Sequence, residues 1–207
     1  MTKSQLRGYQ ERLAPLRYQP SQWLTSPGKK GIEIGFGMGQ ALAQWASEAP
    51  DWNLLGIELY KPGVGSLADK LVSAETSNVQ IAETPAQKVF AEFPDGCIDE
   101  IRILFPDPWP KKRHAKRRLI QPDFVAELAR ALTTHGVLRL ATDWAPYAEW
   151  MKEVLAQEPR LRIEVDRIRA PDEVGERQQA TKFESRGEKL GHDIYDLVLV
   201  RQEVRDH

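Results

Sequence analysis

Gly31-Ile32-Glu33-Ile34-Gly35-Phe36-Gly37-Met38-Gly39 is a short apolar run that closes on three glycines at alternate positions. Such a run, bounded by turn residues, predicts a buried strand, and the helical spacing that follows to about residue 49 predicts a helix. The same unit recurs along the chain. Strands are predicted at 53–57, 79–81 and 98–105, with helices at 65–74 and 86–93. Pro122 and Pro146 each suit the first turn of a helix, since proline there loses no hydrogen bond; these helices run to 132 and 157 and flank a strand at 136–141. Two last strands, 161–168 and 194–201, are separated by a polar loop of about 25 residues. Strands alternating with helices predict an α/β fold with a mostly parallel sheet.

Five such units followed by two strands suit a Rossmann-like class I methyltransferase sheet, seven-stranded and mostly parallel, with helices on both faces. The 207 residues fit a single domain, with residues 1–27 as an N-terminal arm, partly helical, and 28–207 as the core. Lys and Arg number 29 against 30 Asp and Glu, for a net charge of −1, which excludes a globally basic coat for nucleic acid but not a local patch. Cys97 is the one cysteine, so an intramolecular disulfide and a thiolate-rich zinc site are both excluded. No metal is expected. Neither a membrane-spanning run nor an apolar leader is present, which gives a cytoplasmic address as the expectation.

In an open α/β sheet, ligands bind beyond the carboxyl ends of the strands, near the point where strand order reverses. The glycines Gly35, Gly37 and Gly39 stand at such an end, where the lack of a Cβ lets the backbone approach a ligand. Their spacing, G-x-G-x-G, departs from the dinucleotide fingerprint G-x-G-x-x-G. With Glu33 two residues before the first glycine, it favours S-adenosylmethionine over a nicotinamide cofactor, because a carboxylate suits an ammonium or sulfonium charge. Glu58, past the second strand, is placed to accept hydrogen bonds from ribose hydroxyls. A flexible turn and a strand-capping glutamate would look alike taken singly; acids on both sides of the glycines make the cofactor reading the stronger.

The segment Leu104-Phe105-Pro106-Asp107-Pro108-Trp109-Pro110-Lys111-Lys112-Arg113-His114-Ala115-Lys116-Arg117-Arg118 is the most informative. Prolines on both sides restrict Asp107, presenting a carboxylate and an indole in fixed orientation. Trp109 is suited to stack on a base, worth about 1–3 kcal/mol. Six Lys or Arg follow within eight residues, Lys111 to Arg118, a phosphate-binding stripe on a chain otherwise near neutral. Ala141-Thr142-Asp143-Trp144 ends the fifth strand at the same edge, and the loop Thr181-Lys182-Phe183-Glu184-Ser185-Arg186-Gly187 offers cations, a carboxylate and hydroxyls before the last strand.

Together, Glu-Ile-Gly-Phe-Gly-Met-Gly (33–39), Gly-Ile-Glu (56–58), Pro-Gly-Val-Gly (62–65), Phe-Pro-Asp-Pro-Trp-Pro-Lys-Lys-Arg-His (105–114), Ala-Thr-Asp-Trp (141–144), Tyr-Ala-Glu (147–149), Thr-Lys-Phe-Glu (181–184) and Arg-Gly (186–187) resemble the bacterial tRNA (guanine-N7-)-methyltransferases. The resemblance implies methylation of guanine N7 in the tRNA variable loop, at position 46, from S-adenosylmethionine, by a monomer or weak dimer. It implies Glu33, Glu58 and Asp107 as cofactor-site acids, Asp107 also as the catalytic residue, and Lys111, Asp143, Thr181, Lys182, Phe183 and Glu184 as substrate-binding positions. The family's acid after the third strand is not in register: alignment places Thr84 or Pro85 there, with Glu83 one step off. Either Glu83 substitutes through a local shift or that contact is missing. A missing contact would suit an RNA-binding methyltransferase paralogue with weak activity or a different RNA target.

Overall fold

Seven strands, β1 Lys30–Ile34, β2 Asn53–Ile57, β3 Val79–Ala82, β4 Ile98–Leu104, β5 Leu132–Thr142, β6 Leu161–Arg169 and β7 Ile194–Arg201, form one sheet in the order β3-β2-β1-β4-β5-β7-β6. The computed structural model describes residues 1–170 and 193–203. Pairings from β3 through β5 are parallel, and β7 runs antiparallel to both β5 and β6. Strand order reverses between β1 and β4, which sets the ligand edge of the sheet. The expected sheet is the observed one.

Helices cover both faces, as their apolar stripes require. In chain order they are α1 Lys3–Arg7, α2 Pro20–Thr25, α3 Gln40–Glu48, α4 Lys61–Ser73, α5 Ala86–Phe90, α6 Pro122–Ala131 and α7 Ala145–Leu155. One core layer joins Ile32, Ile34, Leu55, Ile57, Ile101 and Ile103 of the sheet to α5, α6 and α7. The opposite layer packs Leu54, Val79 and Ile81 against Leu42 and Trp45 of α3 and Leu67 and Leu71 of α4. Alternate residues of each central strand thus feed alternate layers, and the strands read as continuous apolar runs because neither face meets water.

Some bounds differ from expectation. The fourth helix begins at Lys61, four residues earlier, because Pro62 sits within its first turn and does not break it. The fifth strand begins at Leu132, directly after α6, and runs through Gly136.

The arm is folded onto the core. α1 continues through a π-helical turn, Gly8–Arg12, and a 3-10 turn, Ala14–Leu16. Leu13, Leu16 and Trp23 are buried, and an aliphatic side chain so placed stabilises by roughly 1.5–3 kcal/mol. Trp23 packs on Phe93, with ring centroids 5.7 Å apart. Arg7 and Arg12 both pair with Asp69 of α4, at 2.8 and 2.9 Å. The Tyr18 amide donates to the Ile81 carbonyl at 2.9 Å, so the arm also follows the outer side of β3.

Candidate functional site

Register brings the expected residues to one edge. Ile34 pairs with Ile57 and Ile103, Ile57 with Ala82, and Leu104 with Ala141. The glycine turn, Glu58, Glu83, Asp107 and Asp143 each follow one of these paired ends within a few residues. β7 enters at the same edge, with Tyr195 opposite Thr142. Thr181, Lys182, Phe183 and Glu184 lie outside the described residues.

Gly35, Gly37 and Gly39 all have positive φ, +73°, +54° and +73°, a region that disfavours any side chain. A Cβ built on Gly35 would meet nothing within 4 Å, so the backbone there faces open space. A Cβ on Gly63 would stand 2.0 Å from the Gly37 carbonyl oxygen; its absence lets the first turn of α4 abut the glycine turn. From α4, the Ser66 hydroxyl and the Lys70 ammonium both donate to the Met38 carbonyl, at 3.1 and 3.0 Å.

Glu58 does more than end a strand. One carboxylate oxygen accepts the Gly37 amide at 2.9 Å, and the other accepts the Leu59 and Tyr60 amides at 2.7 and 3.0 Å. The acid therefore ties β2 to the glycine turn and orients its own carboxylate. Glu33 is buried in the sheet, 2% exposed, and shares a strand face with Gly31, which abuts Trp45.

Glu83 directly follows β3, and Thr84 is the next residue of the same turn. The Tyr9 hydroxyl lies 2.9 and 3.0 Å from the two Glu83 carboxylate oxygens, and the Lys61 ammonium stands 5.7 Å from the Tyr9 ring centre. A carboxylate thus does stand at the third strand's end, held from the arm. Nothing local in the sequence pairs Tyr9 with Glu83, 74 positions apart.

Phe105 and Trp109 both adopt left-handed backbone, φ +52° and +43°, so the loop around Asp107 holds two unfavourable conformations. The Phe105 amide is anchored on the Ala141 carbonyl at 2.8 Å. Asp107 itself is exposed. Trp109 is half-buried, with the His114 ring edge-on at 5.8 Å and the Arg117 guanidinium 5.0 Å from its centre. Lys111 precedes a 3-10 turn, Lys112–Arg117, that carries most of the basic stripe. Five of the six cations, Lys111, Lys112, Arg113, Lys116 and Arg117, are exposed; Arg118 is half-buried and turned inward, a correction to its place in the stripe. Under it lies Tyr147 of α7, wholly buried, whose phenol burial pushes up to about 12. Among the described residues no cluster of His, Cys, Asp or Glu is arranged for a metal ion, and no helix is long and apolar enough to cross a membrane.

Acids just past β2, β3 and β5, a glycine turn facing open space and a rigid aspartate loop fit a ligand with hydroxyls and positive charge. A family model described as putative methyltransferase matches residues 28–197. A tRNA (guanine-N(7)-)-methyltransferase of Aromatoleum aromaticum is 44% identical over 196 residues, 94% of this chain and 74% of that protein. The chain belongs to the tRNA (guanine-N(7)-)-methyltransferase family. The family member of Acidithiobacillus ferrooxidans is 49% identical over 173 residues, 82% of this chain and 74% of its own. Among solved structures, an antibiotic-related methyltransferase superposes with TM-score 0.69 at 15% identity, covering 94% of this chain and 98% of that one. A 16S rRNA (adenine(1408)-N(1))-methyltransferase variant from Catenulisporales acidiphilia, solved with its cosubstrate SAM, gives TM-score 0.63 at 17% identity, covering 92% and 94%. At such identity these two share the fold that this family uses.

Proposed function

We infer that the protein methylates guanine N7 in tRNA, in the variable loop at position 46, with S-adenosylmethionine as donor. The observation that carries this reading is the Asp107 loop, set between the glycine turn and a run of exposed cations, in a chain 44–49% identical to tRNA (guanine-N(7)-)-methyltransferases.

The donor, when bound, supplies an electrophilic methyl group on a sulfonium. Gly35, Gly37 and Gly39 give it access to the backbone, while Glu58, Asp107 and Glu83 offer the acceptors that its hydroxyls and charges need. Guanine N7 has a lone pair and no proton in the neutral base, so attack needs no general base. The protein's task is alignment of nucleophile with methyl carbon, which trapping both partners in one geometry can accelerate greatly. Positive charge moves onto the purine as the methyl arrives, and the Asp107 carboxylate, with Asp143 past the end of the neighbouring strand, stabilises that charge. The target base leaves its stack at a cost of a few kcal/mol. Asp143 and Thr181 to Glu184 hold its Watson–Crick edge, while Lys111 and the exposed cations after it hold phosphates.

The deciding experiment is incubation with labelled S-adenosylmethionine and total tRNA, followed by nucleoside analysis. Label in 7-methylguanosine is the expected result, and cleavage around the variable loop locates it. Label in another nucleoside, or none, overturns the reading.

A further inference from the structure

Arg118 differs from its five exposed neighbours in what it touches. Its guanidinium carbon lies 5.7, 5.3 and 5.1 Å from the ring centres of Trp144, Tyr147 and Trp150. The same group sends Nε–H to the Pro108 carbonyl at 3.0 Å. Pro108 separates Asp107 from Trp109, the residue whose φ of +43° needs an outside restraint. The base of this brace is itself fixed: the Trp150 indole donates to the Ile120 carbonyl at 2.8 Å, and the Gln121 amide to the Ala115 carbonyl at 2.8 Å.

A guanidinium lying against three rings of one helical stripe is restrained in orientation, because each ring attracts it. Its donor direction is then fixed, and with it the Pro108 carbonyl. We propose that Arg118 is a positioning residue that holds the Asp107-Pro108-Trp109 turn in its working shape, and is not a phosphate contact. It links α7, which follows Asp143, to the loop carrying Asp107, so the two acids keep one spacing. The inference rests on the role proposed above for Asp107.

Arg118→Met keeps the apolar stem against these rings, so the variant folds, and removes both the cation and the donor. Its kcat should fall roughly 10-fold or more, since small misplacements at a reacting centre cost up to about 100-fold. The tRNA dissociation constant and its salt dependence should stay those of the wild type. Amide exchange in peptide 104–112 should rise while that in β1 and β2 does not. Combined with Asp107→Asn, Arg118→Met should add little further loss, the non-additivity expected of residues acting as a unit. A salt slope lower by about 0.7–0.9 with kcat intact would make Arg118 a phosphate contact. Independent, multiplicative losses in the double variant, or unchanged exchange over 104–112, would also overturn the proposal. If the wild type methylates no tRNA, the function reading falls, and exchange over 104–112 alone decides whether Arg118 holds the loop.

Discussion

The Tyr9 hydroxyl of the N-terminal arm sits between the two carboxylate oxygens of Glu83, at 2.9 and 3.0 Å, and fixes that acid at the end of β3. The position that alignment leaves to Thr84 or Pro85 is therefore flanked by an oriented carboxylate. Glu83→Ala should weaken S-adenosylmethionine binding by about 1.5–3 kcal/mol, the range for losing a hydrogen bond to a charged group. Thr84→Ala should leave affinity unchanged, and Tyr9→Phe should weaken it partially, because the carboxylate stays but loses its restraint. Calorimetry on the three variants checks the order; a loss confined to Thr84→Ala would assign the contact to the threonine.

Gly35 and Gly63 separate binding from folding. Gly35 needs left-handed backbone, which costs an alanine about 1–2 kcal/mol, but its Cβ would enter open space. Gly35→Ala should fold, melt somewhat lower, and lose cofactor affinity by a factor far beyond its stability cost. Gly63→Ala drives a Cβ into the Gly37 carbonyl, so stability and affinity should fall together. Equal behaviour of the two variants in melting and calorimetry would deny that the space over Gly35 receives a ligand.

Asp69 clamps the arm. A hydrogen bond from Ser4, then the hydrogen bonds of Arg7 and the charges of Arg7 and Arg12, hold its carboxyl below the usual carboxylate range. A carboxylate depressed on folding contributes stability above its unfolded pKa, about 3.9, and that contribution disappears as pH falls through the folded value. Asp69→Asn should therefore lower Tm at pH 7, and the gap to wild type should close below about pH 4. A gap that stays constant with pH would show that the clamp acts by packing alone.

The sheet was legible because its central strands are short apolar runs, two of them closed by glycine or proline, at Ile34-Gly35 and Phe105-Pro106. The acids at strand ends were legible for the same reason: a polar residue just past a buried run marks an edge. What stayed hidden is long-range. The arm reads as polar, yet Leu13 and Trp23 are buried because β3 and α5 offer surfaces that no local pattern announces. Arg118 is one more cation in a basic run, and only the aromatic residues of α7 and its N-terminal flank, 26 to 32 positions later, turn it inward. Pro62 signals a break or a first turn equally well, and packing on the glycine turn selects the latter.

The basic stripe can be tested through its salt dependence. Neutralising Lys112, Arg113, Lys116 and Arg117, all exposed, should weaken tRNA binding and reduce the slope of log K against log salt by about 0.7–0.9 for each phosphate that is no longer neutralised. Cofactor affinity should be nearly unaffected, since these side chains are exposed on the turn that follows the Asp107 loop. An unchanged slope would make the stripe an ordinary solvated surface.

Asp107→Asn separates chemistry from docking. The side chain keeps its size, and the backbone is restrained by Pro106, Pro108 and the hydrogen bond from Arg118 to Pro108, so the loop should hold its shape. What disappears is the negative charge toward the donor and the purine cation that forms during transfer. A preorganised electrostatic partner of this kind is worth about 10²-fold or more in kcat. The tRNA dissociation constant should change little, because the exposed cations beyond Lys111 are untouched, and KM for tRNA should follow it. That split, kcat reduced with binding retained, marks an interaction made in the transition state. Single-turnover methylation with saturating tRNA measures it directly. If the variant bound tRNA poorly yet turned over at the wild-type rate when saturated, Asp107 would be a docking residue. The charge facing the methylated purine would then have to come from Asp143, one strand away at the end of β5, and Asp143→Asn would show the kcat loss instead.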